Sequence, residues 1–387
     1  VTANVRSITK ARASARDKTE RAKVNNRTAT TILVLVAVLV VMGLGATQSA
    51  SSTVAFNKTE DSLYFFKRQL TGVGIGAVFL LIASRVPYRF LRKLAMPALM
   101  ATIGLLVAVL ATGVEEGGAT RWLALPGFTI QPSEPAKAAV VLALAYIFEK
   151  KRNLLSDFGH FIAPVLAVVG VVGALVVMQP DLGTLIIIGA AAMAVILASE
   201  APMRFVFLVG VAVVLAATLL AFSEAYRADR IAGFLDPYAD PKGSGYQVIQ
   251  GYYALGSGGV FGVGLGASRA RWFYLPNAHT DFIFAIIGEE TGLVGGLTVI
   301  ALFVVLALAG WSVALRAPDG FGRMVAAGIT AWLSFQALVN VGGVLGVIPI
   351  TGIALPFVSF GSSALIISMA AIGVLVNIAQ SGAQRKP

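Results

Sequence analysis

Long apolar runs joined by short polar segments dominate this chain. Runs at 31–46, 70–84, 94–112, 133–147, 161–177, 182–198, 205–222, 282–315, 324–341 and 365–378 predict ten helices near the length that crosses a bilayer. Hydrocarbon offers no water to backbone groups, and the short alternating strands of an outer-membrane barrel are absent, so the pattern predicts a helix bundle. The fold class is therefore all-α, a polytopic integral membrane protein. Run 282–315 exceeds one crossing at about 1.5 Å per residue. It should tilt, project, or kink near Gly292, Gly295 and Gly296. The long polar stretch, 223–281, lies before the eighth helix and predicts a large extracytoplasmic loop.

Composition sharpens this picture. Hydrophobic residues make up 57% and charged residues 13%, which excludes a soluble fold. There is no cysteine, so disulfide and thiol chemistry are excluded. Residues 1–27 hold eight Lys or Arg without apolar periodicity and read as a disordered basic tail, suited to membrane lipid and topology rather than nucleic acid. Residues 28–380 form the bundle, with an uncleaved first helix, and 381–387 a short carboxy-terminal tail. With the amino terminus inside, 20 of the 30 basic residues fall on the cytoplasmic side, which places both termini there. Thirteen of the 19 acids fall on the other side, so polar chemistry belongs to the extracytoplasmic half.

The candidate chemistry centres on His279-Thr280-Asp281, where the loop enters the eighth helix. A helix start favours the charged carboxylate, so Asp281 reads either as a capping acid or as a base. Glu289 and Glu290 follow on the same element, where ionisable groups are costly and mark function. Glu134 and Lys137, at i and i+3, can pair on one helix face, as a structural tie or to orient a reacting group. Arg68 and Arg121 suit either interfacial anchoring or contact with phosphate oxygens. Asp181, in Gln179-Pro180-Asp181, reads first as a helix cap. The long loop adds Arg230, Gln250 and a glycine series through Gly266, whose spacing is no nucleotide loop and suits close backbone packing or a re-entrant turn. Ser359 lies in a helix-breaking segment, 346–363, that suits the wall of a cavity. His160 and His279, the two histidines, do not form a metal cluster.

Taken in order, Gly118-Ala-Thr-Arg121-Trp122, Gln131-Pro-Ser-Glu134-Pro-Ala-Lys137, Gln179-Pro-Asp181-Leu-Gly-Thr184, Tyr246-Gln247, His279-Thr-Asp281-Phe-Ile-Phe with Gly288-Glu-Glu290, and Pro349-Ile-Thr351-Gly352 resemble the SEDS family of bacterial membrane proteins. Ser49-Ala-Ser-Ser52 and Phe65-Phe-Lys-Arg68-Gln69 look more like its division-associated FtsW branch than the RodA branch. The resemblance implies a ten-helix peptidoglycan glycosyltransferase of the bacterial cytoplasmic membrane that polymerises lipid II at the outer face. It also implies a class B penicillin-binding protein as transpeptidase partner, and other division proteins around it. It gives Asp281 the catalytic role and importance to Arg68, Arg121, Glu134, Lys137 and Asp181. The chemistry of a leaving diphosphate asks for cations, for which Arg68, Arg121, Lys137 or Arg230 are candidates, and Gln250, His279, Thr280, Glu289, Glu290 and Ser359 are the further supporting candidates beside Glu134 and Asp181. No cofactor is fixed by the sequence. A divalent cation, magnesium or manganese, is compatible with Asp281 but assigned by no residue pattern. A lipid II flippase and a non-enzymatic division scaffold are the competing readings.

Overall fold

The structure, a computed structural model, describes residues 2–116, 119–125, 128–222, 224–272 and 274–383. Helix α1 spans Thr2–Thr59, so the basic segment expected as disordered carries helical backbone here. No Gly or Pro occurs before Gly43, and Ala, Arg, Lys and Glu are good helix formers, so nothing local stops the apolar run from extending toward the amino terminus. Helix α2 (Tyr64–Arg85) and α3 (Leu91–Thr112) follow. The next stretch, expected as loop, forms a small antiparallel sheet of β1 (Val114–Glu116), β2 (Ala119–Leu125) and β3 (Phe128–Ile130) in that order. Its register pairs Leu123 with Ile130 and Val114 with Trp122, residues that favour strands.

Helix α4 (Ser133–Lys150) leads to α5 (Phe158–Val165) and α6 (Val171–Val177), joined through a π-turn into one span. Then come α7 (Leu182–Ala198), α8 (Met203–Ala221), α9 (Ala225–Leu235), α10 (Tyr246–Gly258), α11 (Ile283–Arg316), α12 (Gly320–Val344) and α13 (Ser362–Ala383). Among the described residues, eight helical segments are long and apolar enough to cross a membrane. Helix α7 is one residue short of that length, and α4 carries Glu134, Lys137, Glu149 and Lys150; with these two the count is ten. Both pack against α12 instead of lipid: Gly328 of α12 faces Val141 of α4 and Val195 of α7 so closely that an added Cβ would stand 2.7 and 2.8 Å from them. Small residues that let helices approach are what membrane packing demands.

Helices α12 and α13 form the centre, with 72% and 67% of their apolar windows buried, whereas α8 has 11% and stands at the edge. At the end opposite the site described below, Asp319 caps α12 and binds Tyr88 Oη at 2.9 Å and Arg92 at 3.0 Å. Glu200 bridges Arg152 and Arg323 at 2.6 and 2.8 Å.

Helix α11 breaks at Gly292, where φ is +68°. The expected kink is thus present at the first of the three glycines. The break frees backbone groups, and the glycine loop after α10 bonds them: Val263 and Gly264 N–H donate to Glu289 and Glu290 carbonyls at 2.9 and 3.1 Å, while Leu293 and Val294 N–H donate to Gly259 and Val260 carbonyls at 2.9 and 3.2 Å. A Cβ at Gly292 would run into Val260 O and Gly262 N. Close backbone packing is therefore what these glycines serve.

Candidate active site

The segment before α11 is built on Asn277, a non-glycine residue at φ +52° that asparagine tolerates. Its carbonyl accepts the N–H groups of Thr280, Asp281 and Phe282 at 3.1 to 3.3 Å. The cap of α11 is Phe282, so Asp281 lies one residue outside the helix and does not cap it, contrary to one sequence expectation.

Three consecutive carbonyls are then held from the α12–α13 side. Phe360 N–H donates to His279 O at 2.9 Å, Ser359 Oγ to Thr280 O at 2.6 Å, and Asn340 Nδ2 to Asp281 O at 2.9 Å. Ser359 Oγ also accepts Leu355 N–H at 2.8 Å, and Asn340 Nδ2 also donates to Ile353 O at 2.7 Å. Gln69 of α2 closes the frame, donating to Ser359 O at 3.1 Å and accepting Gly361 N–H at 3.2 Å. The backbone under Asp281 is thus fixed on all three residues.

The side chain of Asp281 stays partly open while protein encloses it on most sides. Burial raises its pKa to about 6, against the pull of Arg230, then Arg121, and a hydrogen bond with Thr280; Asp181 adds to the rise. The direction is opposite to that expected from a helix start, because desolvation outweighs the cationic neighbours. At pH 7 the carboxylate is still charged by about ten to one. Gly352, at φ +72°, makes room here: a Cβ on it would stand 3.6 Å from Asp281 Oδ2 and 3.8 Å from Arg230 Nη1. Base and guanidinium therefore border the same space. Arg230 also lines a neighbouring cavity of about 470 Å³ with Asp229, Asp240 and Ser244, of which Asp281 is not a wall.

Arg121, on β2, donates to Gln179 O at 3.1 Å and to Pro180 O, and reaches Asp181 Oδ1 at 3.9 Å. Asp181 caps α7 through Thr184 N–H at 3.2 Å, as expected, and its other oxygen accepts from Gln131 at 3.1 Å and Ser133 at 3.2 Å. Its lone pairs are largely committed.

Other expected residues lie elsewhere or act differently. Lys137 is 1% exposed; it binds Glu134 at 2.8 Å and Gln336 Oε1 at 2.9 Å and sits 5.0 Å over the Trp332 ring. The expected pairing is present, but an enclosed ammonium with these partners does not serve the diphosphate contact assigned to it. Glu289 accepts from Ser268 Oγ, from Arg269 N–H at 2.9 Å and from Ala270 N–H at 3.3 Å, and so clamps the end of the long loop. Glu290 accepts from Ser49 of α1. Both acids hold structure. His279 is half-buried between Phe65 and Phe360, with ring centroids 4.8 and 5.8 Å away, and desolvation, helped by Lys58, lowers its pKa to about 4. It is a neutral packing ring. Arg68 Nη1 donates to Tyr64 Oη at 3.0 Å. Gln250, on α10, precedes Gly251, which faces the Phe282 ring.

Among the described residues no group of three or more His, Cys, Asp or Glu could hold a metal. Asn340 and Gln336 were not singled out from the sequence. The signal was there: Trp332, Gln336 and Asn340 follow at i, i+4 and i+8 along one face of an apolar helix.

The model of the family described as "Cell cycle protein", FtsW/RodA/SpoVE, matches residues 29–384. A probable peptidoglycan glycosyltransferase FtsW from Geobacter sp. (strain M18) is 39% identical over 349 residues, covering 90% of this chain and 95% of that protein. Stage V sporulation protein E from Bacillus subtilis (strain 168) is 40% identical over 352 residues, covering 90% and 96%. Of solved structures, a chain from work on polymerization and crosslinking by a peptidoglycan synthase complex superposes with a TM-score of 0.74 at 30% identity, covering 92% of this chain and 98% of that one. Rod shape determining protein RodA of Thermus thermophilus gives 0.67 at 28% identity, covering 92% and 97%. A family match over nearly the whole bundle, and relatives alike along their full length, agree with the motifs that frame Asp281: this chain belongs to the FtsW/RodA/SpoVE family.

Proposed function

We propose that this protein is a peptidoglycan glycosyltransferase of the FtsW branch that polymerises lipid II into glycan strands during cell division. Asp281 is its general base. The observation that carries the reading is the shared space at Gly352, where a carboxylate with a pKa of about 6 faces the Arg230 guanidinium. An acceptor sugar hydroxyl attacks the anomeric carbon of a donor linked through diphosphate to its lipid. The new oxygen–carbon bond forms as the carbon–phosphate-oxygen bond breaks. The hydroxyl proton passes to Asp281, and the electron pair of the broken bond leaves on the diphosphate. Arg230 stabilises that developing charge. Arg121 supports the field from its place on β2. Since diphosphate is a good leaving group, a second carboxylate acting as acid is not required, in contrast to glycosidases.

A general base is most effective when its pKa lies just below the working pH, and burial brings that of Asp281 close to neutrality. A divalent cation would be held by Asp281 together with phosphate oxygens, an arrangement usual for magnesium, and would neutralise phosphate charge. The protein sits in the bacterial cytoplasmic membrane with both termini cytoplasmic and Asp281 on the extracytoplasmic side, as the basic-residue asymmetry argues. A class B penicillin-binding protein is its transpeptidase partner, and other division proteins assemble with the pair.

The test is to reconstitute the purified protein with such a transpeptidase and follow fluorescent lipid II. Glycan strands resistant to β-lactam treatment support the proposal. Passage of lipid II across the vesicle membrane without any polymer would overturn it in favour of a flippase.

A further inference from the structure

We propose that the glycine loop 259–266 is inserted into the bilayer leaflet nearest Asp281, with lipid acyl chains as its partner. Residues 243–268 contain no charged side chain, a span of 26 residues in a loop otherwise rich in Asp, Arg and Lys. At its tip Phe261 is 84% and Leu265 83% exposed, and Val260 and Val263 are 54% and 44% exposed. An aqueous loop does not collect such side chains without a partner.

Three observations identify the partner as lipid. First, part of the backbone is provided for: the Val263 and Gly264 N–H groups and the Gly259 and Val260 carbonyls pair with the break in α11, and Gly262 N–H donates to Gly258 O at 2.8 Å, so these groups enter an apolar phase already bonded. Second, the segment from Gly292 to Arg316 is about 36 Å long as a helix, against a hydrocarbon core of about 30 Å, so the break bonded to the loop stands at the edge of that core. Third, the apolar tip continues into the outward face of α11, where Leu293, Val294 and Leu297 are 57%, 52% and 54% exposed on a membrane span. Beyond the loop, Trp272 and Tyr274 are 56% and 59% exposed, and Arg271 lies 5.7 Å from the Trp272 ring centroid, the residue types that settle at a membrane interface.

The inserted loop thereby fixes the depth of α11, whose amino-terminal half leads directly to Asp281. That consequence rests on the role given to Asp281 above. The insertion itself does not.

The absence of cysteine allows a direct test on the full chain. Phe261→Cys and Leu265→Cys, each labelled with bimane, are reconstituted in phosphatidylcholine–phosphatidylglycerol vesicles, beside labelled Ser244→Cys as aqueous reference and Leu308→Cys as mid-span reference. Both loop side chains are over four-fifths exposed, so the substitutions remove few internal contacts, and melting temperatures check folding. Lipids carrying a shallow doxyl group should quench the loop labels about threefold or more above the Ser244 label, and aqueous iodide should quench them correspondingly less. Iodide quenching equal to that at Ser244 would overturn the proposal, placing the loop in water. Protection from both quenchers would overturn it too, assigning the tip to a protein partner or a second copy. Neither outcome bears on polymerisation, so this test and that of the catalytic reading fail independently.

Discussion

Replacing Glu134 with alanine strands the Lys137 ammonium inside the bundle, with Gln336 and the Trp332 face as its remaining partners. Water cannot soften the loss, since the two charged side chains are 8% and 1% exposed and 2.8 Å apart. Removing one member of such a pair costs about 3–5 kcal/mol. Gln336 Oε1 still accepts from the ammonium, and a hydrogen bond to a charged group is worth about 1.5–3 kcal/mol, so the lower end, about 3 kcal/mol, is expected. Removing both charges, as Glu134→Leu with Lys137→Met, leaves no buried ion, and Gln336 keeps its bond from Trp332 Nε1 at 2.8 Å. The double variant should lie within about 1.5 kcal/mol of wild type, since apolar replacement of a buried ion pair is often neutral. With the matching single variants, Glu134→Leu and Lys137→Met, each costing about 3 kcal/mol by the same argument, the cycle should report a coupling of about 4 kcal/mol or more. The assay is unfolding of the purified protein by a titrated denaturing detergent, followed by tryptophan fluorescence. Strictly additive losses would refute a direct pair and with it the structural role given to Lys137.

Further expectations follow from the same geometry. Asn340→Ala deprives Asp281 O and Ile353 O of their shared donor; a site loosened by one such bond, about 1.4 kcal/mol, should lose about tenfold in kcat with KM little changed, and an unchanged kcat in the folded variant would contradict the clamp. Asp281 is active when ionised, so with a pKa of about 6 polymerisation should rise about tenfold per pH unit up to pH 6 and level above it. Arg230 is the largest influence holding that value down, so Arg230→Met should move the acid limb to higher pH; an acid limb near pH 4 in both proteins would contradict the burial argument. Gly292→Ala places a Cβ at φ +68° against Val260 O and Gly262 N and should cost more than the about 1–2 kcal/mol of a left-handed residue, whereas Gly45→Ala, in open space, should be near neutral in the same unfolding assay.

The ten runs, the break in the eighth and the order of the helices were legible in the sequence because length and apolar content are set locally. The sheet at 114–130 was not, since three short strands among glycines carry little periodic signal. Helix through the basic segment was missed because charge argued for a tail while propensity argued for continuation. At the site, the residue types were legible but their division of labour was not. Lys137, Glu289 and Glu290 look alike as charges in apolar surroundings, and only their partners, Gln336, Ser268 Oγ with the 269–270 backbone, and Ser49, show them to be ties. The ionisation of Asp281 turned on how much protein surrounds it, a property of the fold that position at a helix start does not disclose.

The central claim is that Asp281 takes the proton from the attacking hydroxyl. The most direct measurement compares lipid II polymerisation by wild type and Asp281→Asn, each with the transpeptidase partner, at matched protein amount and matched melting temperature. Asparagine keeps the size, the bond its carbonyl accepts from Asn340 and the bond its N–H donates to Asn277 O, but cannot accept the proton. The account expects a loss of at least about 10²-fold in turnover with the complex intact. A folded Asp281→Asn protein that polymerises near the wild-type rate would contradict it.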